Sequence, residues 1–370
     1  VRRVIISLIP LVLLTILANP DLPARSLLLR GVRTVKSTDT PFGNITTAIY
    51  GEEYTVFYDH RPLFFSSDVV SREENIHYAL LQRESYQKVM LISGGLRKHL
   101  PELGKYNIKE LVYLEHDPGV IAAEGVGDTV AGGMTVTVIR NDPITELRND
   151  EGTYDAVLQL IPPPSTLSVN RFYTVEYFQL VKEHLSEEGI FLCTPMPYFN
   201  YSPESYRKSF SPLYNALDEV FNYIALIPGS SLYAVASDHP VTPAISRLSE
   251  TRSLINSYVN SDYLDDGEIR MRSEQIILQI DRGAGMNSAL RPVSSLFANI
   301  LSLERMGNSE EMIILLAILL LIPFLFTGKG GLMMFTSSAA LAGFGMIMIF
   351  ILQIAVGNIY ILSAIILTLL

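Results

Sequence analysis

Glycine and acidic residues follow three consecutive apolar segments of the chain, a pattern that can bind a nucleoside. The residues are Gly94, Gly95, Glu115 and Asp142, and the segments that precede them are residues 89–92, 111–114 and 134–139. Two adjacent glycines let a backbone approach a ligand closely. An acid after the next strand can accept both hydroxyls of a ribose, and the third position suits the amino group of an adenine. Each feature is common singly, so the hypothesis of a nucleoside site depends on their shared order and spacing.

The apolar segments are typical of strands that are buried on both faces. Strands are predicted at residues 89–92, 111–114, 134–139, 156–161 and 190–193, and helices at residues 173–185 and from Ser202 onward. Such strands alternating with helices predict a parallel sheet with both faces covered. Residues 221–227 and 232–236 predict a terminal antiparallel hairpin, an arrangement typical of the Rossmann-like fold of S-adenosylmethionine-dependent transferases. Because ligands of such sheets lie beyond the carboxyl ends of the strands, the candidate residues and the loop at Pro162 should surround one crevice.

A small β subdomain is predicted before this sheet. Its strands are predicted at residues 45–50, 54–58 and 63–66, the first two forming a hairpin. The sequence from Ser71 to Glu74 has the pattern of a capping box and predicts a helix that continues to about residue 82. We therefore place a β-hairpin subdomain at residues 35–68 and an α/β domain at residues 69–305.

Hydrophobic residues make up 48% of the chain, and their excess lies at its two ends. Residues 1–20 contain an apolar run that we interpret as the end of a transmembrane helix, although a signal peptide has a similar pattern. Apolar runs at 312–326, 332–352 and 354–370 predict about three transmembrane helices in residues 312–370. We therefore expect a truncated part of a longer, multi-pass membrane protein, with the lipid bilayer and other membrane-protein subunits as partners. Basic residues near the membrane favour a cytoplasmic domain.

Composition and spacing argue against several other functions. The formal net charge of −10 argues against a nucleic-acid surface, which needs a basic stripe. The single cysteine, Cys193, lies in a predicted strand and rules out an internal disulfide or a cysteine-based metal site. His77 and His116 have no partner at metal-ligand spacing. We therefore predict no metal and favour a structural role for both histidines.

About residues 35–303 resemble spermidine synthase and its relatives, the aminopropyltransferases. The resemblance is most specific to the membrane-embedded bacterial branch, in which such a domain is fused to transmembrane helices. The matching stretches are residues 40–45, 73–78, 91–95, 113–118, 154–157, 162–166, 170–178, 286–288 and 291–292. The resemblance implies an S-adenosylmethionine-transferase-like α/β fold in the bacterial inner (plasma) membrane. It also implies decarboxylated S-adenosylmethionine or a related nucleoside as ligand, whereas the residues alone establish no cofactor.

The resemblance implies roles for individual residues and also exposes departures from the family. The candidate nucleoside residues named above match the glycine-rich turn, the ribose-binding acid and the acid near the adenine. His77 and Tyr173 match polar positions in the channel for the amine substrate. Leu96 replaces the aspartate that holds the amino group of the donor, and Leu160 replaces the aspartate that takes a proton from the attacking amine. Gly43 replaces the glutamine of an early Tyr-Gln motif.

The two leucines favour the hypothesis that aminopropyl transfer has been lost. A protonated amine is not a nucleophile, and a positioned carboxylate both attracts it and removes its proton, an effect of ~10²–10⁴ in rate. Arg97 would also repel an amine if it pointed into the crevice, although a solvated position is favoured. We therefore predict a structural, docking or ligand-binding subunit of a membrane assembly, with no catalytic residue assigned.

Two alternatives remain open. The first is an active membrane-bound transferase of an aminopropyl or other S-adenosylmethionine-derived group with an altered acceptor. In that case an acid such as Asp59, Glu73 or Glu74 would replace the missing one. The second is a transporter whose domain senses a metabolite, but the predicted spans contain no charged residue except Lys329, in a loop.

Overall fold

The computed structural model describes residues 31–40, 42–58, 61–65, 67–199, 203–305 and 328–356, with single residues at 26, 29, 314, 315, 317–319 and 321. The predicted transmembrane helix at residues 1–20 lies outside the described residues. So do most of the run at 312–326 and all but the first three residues of the run at 354–370.

The N-terminal subdomain is a four-stranded antiparallel meander in which consecutive strands pair. Its strands are β1 (Arg33–Asp39), β2 (Asn44–Tyr50), β3 (Glu53–Tyr58) and β4 (Arg61–Phe65). The predicted hairpin is confirmed as β2 and β3. Strand β1 was not predicted because most of its side chains are polar and exposed, so it has no apolar pattern. Ile45 and Val56 of this sheet pack against Val120 of the larger domain.

The larger domain is built on an eight-stranded sheet of order β11-β12-β10-β9-β5-β6-β8-β7. Its strands are β5 (Lys88–Ile92), β6 (Glu110–Leu114), β7 (Thr129–Ala131), β8 (Met134–Ile139), β9 (Tyr154–Gln159), β10 (Leu185–Met196), β11 (Tyr223–Pro228) and β12 (Leu232–Ser237). The five central strands are parallel and β11–β12 is antiparallel, as predicted. The short edge strand β7, antiparallel to β8, was not predicted because its residues are largely exposed.

Helices cover both faces of this sheet. They are α1 (Val69–Leu80), α2 (Leu96–Leu103), α3 (Pro118–Glu124), α4 (Pro143–Asn149), α5 (Leu167–Asn170), α6 (Val175–Glu183), α7 (Glu204–Val220), α8 (Ile245–Arg252), α9 (Asp266–Leu278) and α10 (Val293–Arg305). Val89 and Leu91 of β5 belong to one hydrophobic core, whereas Met90 and Ile92 belong to the other. Successive side chains of a strand point to opposite faces, so the uninterrupted apolar strands do mark a sheet buried on both sides.

Two predicted helix starts are wrong in detail. Helix α1 begins at Val69, and its N-cap is Asp68, whose carboxylate accepts a hydrogen bond from the backbone N–H of Ser71. The predicted capping box therefore lies inside the helix, because an aspartate three residues earlier already satisfies the N-terminal donors. Helix α6 begins at Val175, two residues after the prediction, because residues Arg171–Tyr173 form a 3₁₀ turn first.

One apolar helix, α11 (Lys329–Val356), follows the domain. Its segment Lys329–Ile349 has a mean hydropathy of 1.8 and is almost wholly unburied. In the part of the chain that the structure describes, no other helix is long and apolar enough to cross a membrane. The structure thus supports one candidate span out of the several that the sequence predicts, and only by length and composition.

Candidate functional site

The turn between β5 and α2 has an unusual backbone. Ser93, Gly94 and Gly95 have φ angles of 59°, 82° and 89°, all in the left-handed region that favours glycine. A methyl group on the Cα of Gly94 would lie 2.6 Å from the Cβ of Leu160, which follows the neighbouring strand β9. The predicted glycine turn is therefore present. In this structure its close approach is to a leucine of the chain itself.

A buried acid caps the helix after this turn. Glu124, the last residue of α3, accepts hydrogen bonds from the backbone N–H groups of Leu96 (3.0 Å) and Arg97 (3.3 Å). Burial raises the pKa of Glu124 to about 7, against the opposing effect of these two donors. No sequence pattern indicated this contact, because Leu96 and Glu124 lie on different helices and are 28 residues apart in the chain.

Glu115, the predicted ribose-binding acid, lies at the end of β6 and is 3% exposed. The Tyr113 hydroxyl donates to its Oε2 atom and the backbone N–H of Asp117 to its Oε1 atom, each at 3.2 Å. The neighbouring His116 ring meets Phe42 of the N-terminal sheet edge to face, with centroids 4.8 Å apart. The carboxylate is thus held inside the protein at the corner where the two subdomains meet.

Asp142, the predicted adenine-binding acid, is the N-cap of α4. Its Oδ1 atom accepts the backbone N–H of Thr145 at 3.1 Å, and its Oδ2 atom forms an ion pair with Arg171. The Arg171 guanidinium also lies over the Phe172 ring, 4.4 Å from its centroid. An adenine amino group would have to compete with Arg171 for this carboxylate.

A cavity of about 230 Å³ lies at the carboxyl ends of the central strands, beneath strand β4 of the N-terminal sheet. Its lining residues come from both subdomains: Pro62, Leu63, Phe65, Asp68, Ser71, Asn75, Gly94, Lys98, Leu160, Pro162, Pro163, Thr194, Ser230, Ser231 and Tyr233. Of the predicted site residues, it contains Gly94 and Leu160. Leu160 thus does lie where a ligand could reach it, while Leu96 is fully buried in the core.

The charged residues of the cavity are Lys98 and Asp68. The Lys98 ammonium lies 2.8 Å from Asp68 Oδ2 and donates to Ser71 Oγ, also at 2.8 Å. Burial lowers the pKa of Lys98, and the adjacent carboxylate offsets only part of this effect. Burial also raises the pKa of Asp68, but the hydrogen bonds from Lys98 and Ser71 outweigh it and hold that pKa below its usual value.

Lys98, and not Arg97, is the basic residue of α2 that lines the cavity. Arg97 is exposed, and its guanidinium donates to the backbone carbonyl of Glu124, so the favoured solvated position is confirmed. Lys98 lies one residue later on α2 and points to the cavity. Successive helix residues point about 100° apart, so only the docking of α2 decides which basic side chain enters.

The two residues predicted to line an amine channel, His77 and Tyr173, lie outside the cavity lining. His77 is fully buried, its Nδ1 atom 2.7 Å from the Tyr106 hydroxyl and its Nε2 atom 3.0 Å from Glu102. The Tyr173 hydroxyl lies within hydrogen-bond distance of the carbonyl oxygens of Ile161 and Thr194. Neither residue lines the cavity. Their polar groups are satisfied by the protein, which favours structural roles.

Two acids proposed as substitutes are also engaged. Glu73 accepts the backbone N–H groups of residues 257–259 at 2.7–2.8 Å. Glu74 accepts the backbone N–H of Ser230 at 2.8 Å and the Tyr78 hydroxyl at 3.1 Å. Burial raises the pKa of Glu74 in spite of these donors. Asp59 lies outside the described residues.

A buried hydrogen-bond relay joins the cavity to the glycine turn. Tyr233 donates to Asn75 Oδ1 at 2.9 Å, and Asn75 Nδ2 lies 3.0 Å from His99 Nε2. His99 Nδ1 lies 2.6 Å from the carbonyl oxygen of Gly95. Burial lowers the pKa of His99 to about 3, so the ring is neutral. Because a carbonyl only accepts, Nδ1 carries the proton and Nε2 accepts from Asn75.

Comparisons with known proteins agree with this architecture. Residues 70–237 match the model of the family described as the spermine/spermidine synthase domain. Polyamine aminopropyltransferase 2 of Aquifex aeolicus is 24% identical over 170 residues, which cover 44% of this chain and 34% of the relative. The polyamine aminopropyltransferase of Oceanobacillus iheyensis is 27% identical over 122 residues, 31% of this chain and 24% of the relative. The alignments therefore span about a third or less of these two relatives.

Solved structures show the same fold. Spermidine synthase from Thermotoga maritima superposes with a TM-score of 0.53 at 16% identity, covering 67% of this chain and 87% of that one. A spermidine synthase in complex with the transition-state analogue AdoDATO gives a TM-score of 0.55, also at 16% identity, over 67% and 88%. The fold and the strand-end crevice define a Rossmann-like, transferase-type α/β domain. More particularly, residues 70–237 form a spermidine synthase-like domain.

Proposed function

We propose that this domain binds a ligand but does not transfer an aminopropyl group, and that helix α11 anchors it to a membrane. The observation that carries the proposal is the cavity beneath β4. Among the described residues that line it, the one acid is Asp68, which is paired with Lys98. Leu160 lies in the same cavity, at the position where the resemblance implies an acid.

Aminopropyl transfer requires the acceptor amine to lose its proton before it attacks. A carboxylate with a free oxygen near the attacking nitrogen provides this step. Asp68 accepts hydrogen bonds from the Ser71 N–H, the Ser71 hydroxyl and Lys98, so three of its roughly four acceptor sites are used. A cationic amine would also lie close to the Lys98 ammonium, which repels it. Both conditions oppose binding and deprotonation of a polyamine.

The residues expected to bind the aminopropyl donor, decarboxylated S-adenosylmethionine, support the same conclusion. Glu115 is nearly inaccessible, and Asp142 is held by Arg171. Leu96 places an apolar side chain in the core, where the resemblance implies an acid for the amino group of the donor. These arrangements weaken each polar contact that a decarboxylated S-adenosylmethionine molecule would need.

The test is an assay of the purified full chain in detergent with labelled decarboxylated S-adenosylmethionine and either putrescine or spermidine. We expect no release of methylthioadenosine above background, while the Thermotoga maritima spermidine synthase, assayed in parallel, turns over. If the wild type released methylthioadenosine and the Asp68→Asn variant did not, the proposal would be refuted and Asp68 would be identified as the base.

A second candidate is an active transferase with a different acceptor. It is favoured by the presence of Glu115 and Asp142 at the ends of their strands, together with an acid, Asp68, in the cavity. Assays with a panel of amines and with both aminopropyl and methyl donors would reveal it. Transfer to any acceptor that is lost in Glu115→Ala would support this candidate over the first.

The membrane part of the proposal is supported by the composition of α11. Large apolar side chains on this helix are exposed, for instance Met333 and Met334 at more than 70%. Exposed hydrocarbon on this scale is stable when it contacts lipid or another membrane helix. We therefore propose the lipid bilayer as a partner and other membrane-protein subunits as docking partners of the domain.

A further inference from the structure

We propose that the cavity beneath β4 binds a small organic carboxylate, and that Lys98 binds its carboxylate group. This inference rests on the proposed function, since it specifies the ligand class of the same cavity. It is carried by the hydrogen-bonding groups that the cavity presents after the internal bonds of the protein are formed.

Several hydrogen-bond donors of the cavity lining are not used by the protein itself. A lysine ammonium has three N–H donors, and Lys98 uses two of them, toward Asp68 and Ser71. Asn75 uses one of its two amide N–H donors, toward His99. The Ser231 hydroxyl, also in the lining, forms no hydrogen bond with the described residues. Residues with an unused donor, from three separate elements, therefore line the same cavity.

The acceptors around the cavity are largely used. Asp68 Oδ1 accepts the Ser71 N–H, and Asp68 Oδ2 accepts Lys98 and the Ser71 hydroxyl. Glu74 does not line the cavity but contacts the lining residue Ser230. It accepts hydrogen bonds from the N–H and hydroxyl of Ser230 and from the Tyr78 hydroxyl. A ligand thus meets available donors but few available carboxylate oxygens. An anion satisfies these donors, whereas an ammonium ligand meets only one unused acceptor site of Asp68, on Oδ1, beside the repelling Lys98 ammonium.

Part of the remaining lining is apolar. It comprises Leu63, Phe65, Leu160, Pro162 and Pro163. The volume of about 230 Å³ is below the roughly 300–1,000 Å³ of sites for drug-sized molecules. A monocarboxylate with a short hydrocarbon tail matches both features, since its tail would contact the apolar side and its carboxylate would reach Lys98.

The experiment compares three six-carbon ligands that differ only in the head group. Hexanoate, hexan-1-ol and hexylamine are titrated separately into the full chain in detergent by isothermal titration calorimetry. Lys98 can form a charge-assisted hydrogen bond with hexanoate, whereas it meets only a neutral acceptor in hexan-1-ol and repels the hexylammonium ion. We therefore expect hexanoate to bind at least about tenfold more tightly than the other two. Lys98→Met should remove this preference, and Lys208→Met, which changes an exposed lysine that does not line the cavity, should leave it intact.

Lys98→Met removes the cation that pairs with the Asp68 carboxylate, a change that can prevent folding, so a second variant is included. The double variant Asp68→Asn/Lys98→Met removes both charges, and thermal unfolding identifies which variants are folded. A folded variant without Lys98 that binds hexanoate as tightly as the wild type would overturn the inference. So would a wild type that prefers hexylamine. The proposed absence of aminopropyl transfer is tested separately, by methylthioadenosine release.

Discussion

Gly94 and Leu160 touch across two parallel strands: a methyl group on the Cα of Gly94 would lie 2.6 Å from Leu160 Cβ and 2.7 Å from its Cδ1 atom. The glycine turn and the leucine at the implied acid position therefore form one packed unit. This contact places hydrocarbon in the lining of the cavity that contains Lys98.

Gly94→Ala should destabilise the domain more than Gly133→Ala does. Both glycines have positive φ, 82° and 89°, but a side chain at Gly133 would meet open space. The two variants share the backbone strain of about 1–2 kcal/mol, and only the first adds overpacking against Leu160, about 1–3 kcal/mol. Urea unfolding of both variants measures the difference. Equal losses would show that Leu160 moves aside freely.

The buried carboxyl of Glu124 should make stability depend on pH. Burial raises its pKa from 4.5 to about 7, so the folded state favours the protonated form. The stability that this provides is fully present below pH 4.5 and is lost as the pH rises through about 7. One pKa unit corresponds to about 1.4 kcal/mol, so the loss is roughly 3 kcal/mol.

Glu124→Gln tests this pH dependence because glutamine does not titrate. Between pH 5 and pH 8 the free energy of unfolding of the wild type should fall relative to that of the variant. The neutral His99 is present in both proteins, so its titration cancels in the comparison. The exposed Glu187→Gln should follow the wild type at every pH. A constant difference between wild type and Glu124→Gln would contradict the raised pKa.

Glu73→Gln should weaken the attachment of residues 257–259 to α1. The carboxylate of Glu73 accepts three backbone N–H groups there. A glutamine turns an amide N–H toward at least one of these donors and leaves it unsatisfied, a cost of about 1–3 kcal/mol. Chemical denaturation should show this loss. The exposed Glu84→Gln on the following turn should change stability by less than about 0.5 kcal/mol.

Arg171→Met should raise the affinity of the domain for methylthioadenosine. The substitution releases Asp142 from its ion pair while keeping an apolar stem near Phe172. A freed carboxylate can then accept the adenine amino group, and we expect an increase of about tenfold. Calorimetry with Arg272→Met, a half-buried arginine on α9, provides the control. An unchanged affinity would mean that Asp142 does not contact the nucleoside.

The segment 329–349 should insert into a membrane when it is placed in a host protein with glycosylation acceptor sites on both sides. Its length and mean hydropathy of 1.8 meet the requirement for a span. Leu341→Arg should reduce insertion strongly, since a central arginine costs about 3 kcal/mol on the insertion scale, and Leu341→Val should not. The amphipathic helix Glu204–Val220 serves as the non-inserting segment. If both segments inserted to the same extent, the proposal that α11 anchors the domain to a membrane would be refuted.

The order of strands and helices could be predicted from the sequence because it depends on local pattern. The central strands are continuous apolar runs, and alternate residues of β5 do enter opposite cores. Strands β1 and β7 escaped prediction because their residues are mostly polar or exposed and are held by backbone pairing to a neighbour. Backbone pairing of this kind does not produce a pattern of apolar residues in the sequence.

The sequence alone determined the class of fold, the placement of acids at strand ends and the leucines at the positions where the resemblance implies acids. Only the tertiary structure decided which charges meet. The pairs Lys98–Asp68 and Arg171–Asp142 join residues about 30 positions apart, as does the cap that Glu124 provides for α2. Periodicity specifies which face of a helix is apolar, but the docking of that helix decides which polar side chain reaches a cavity.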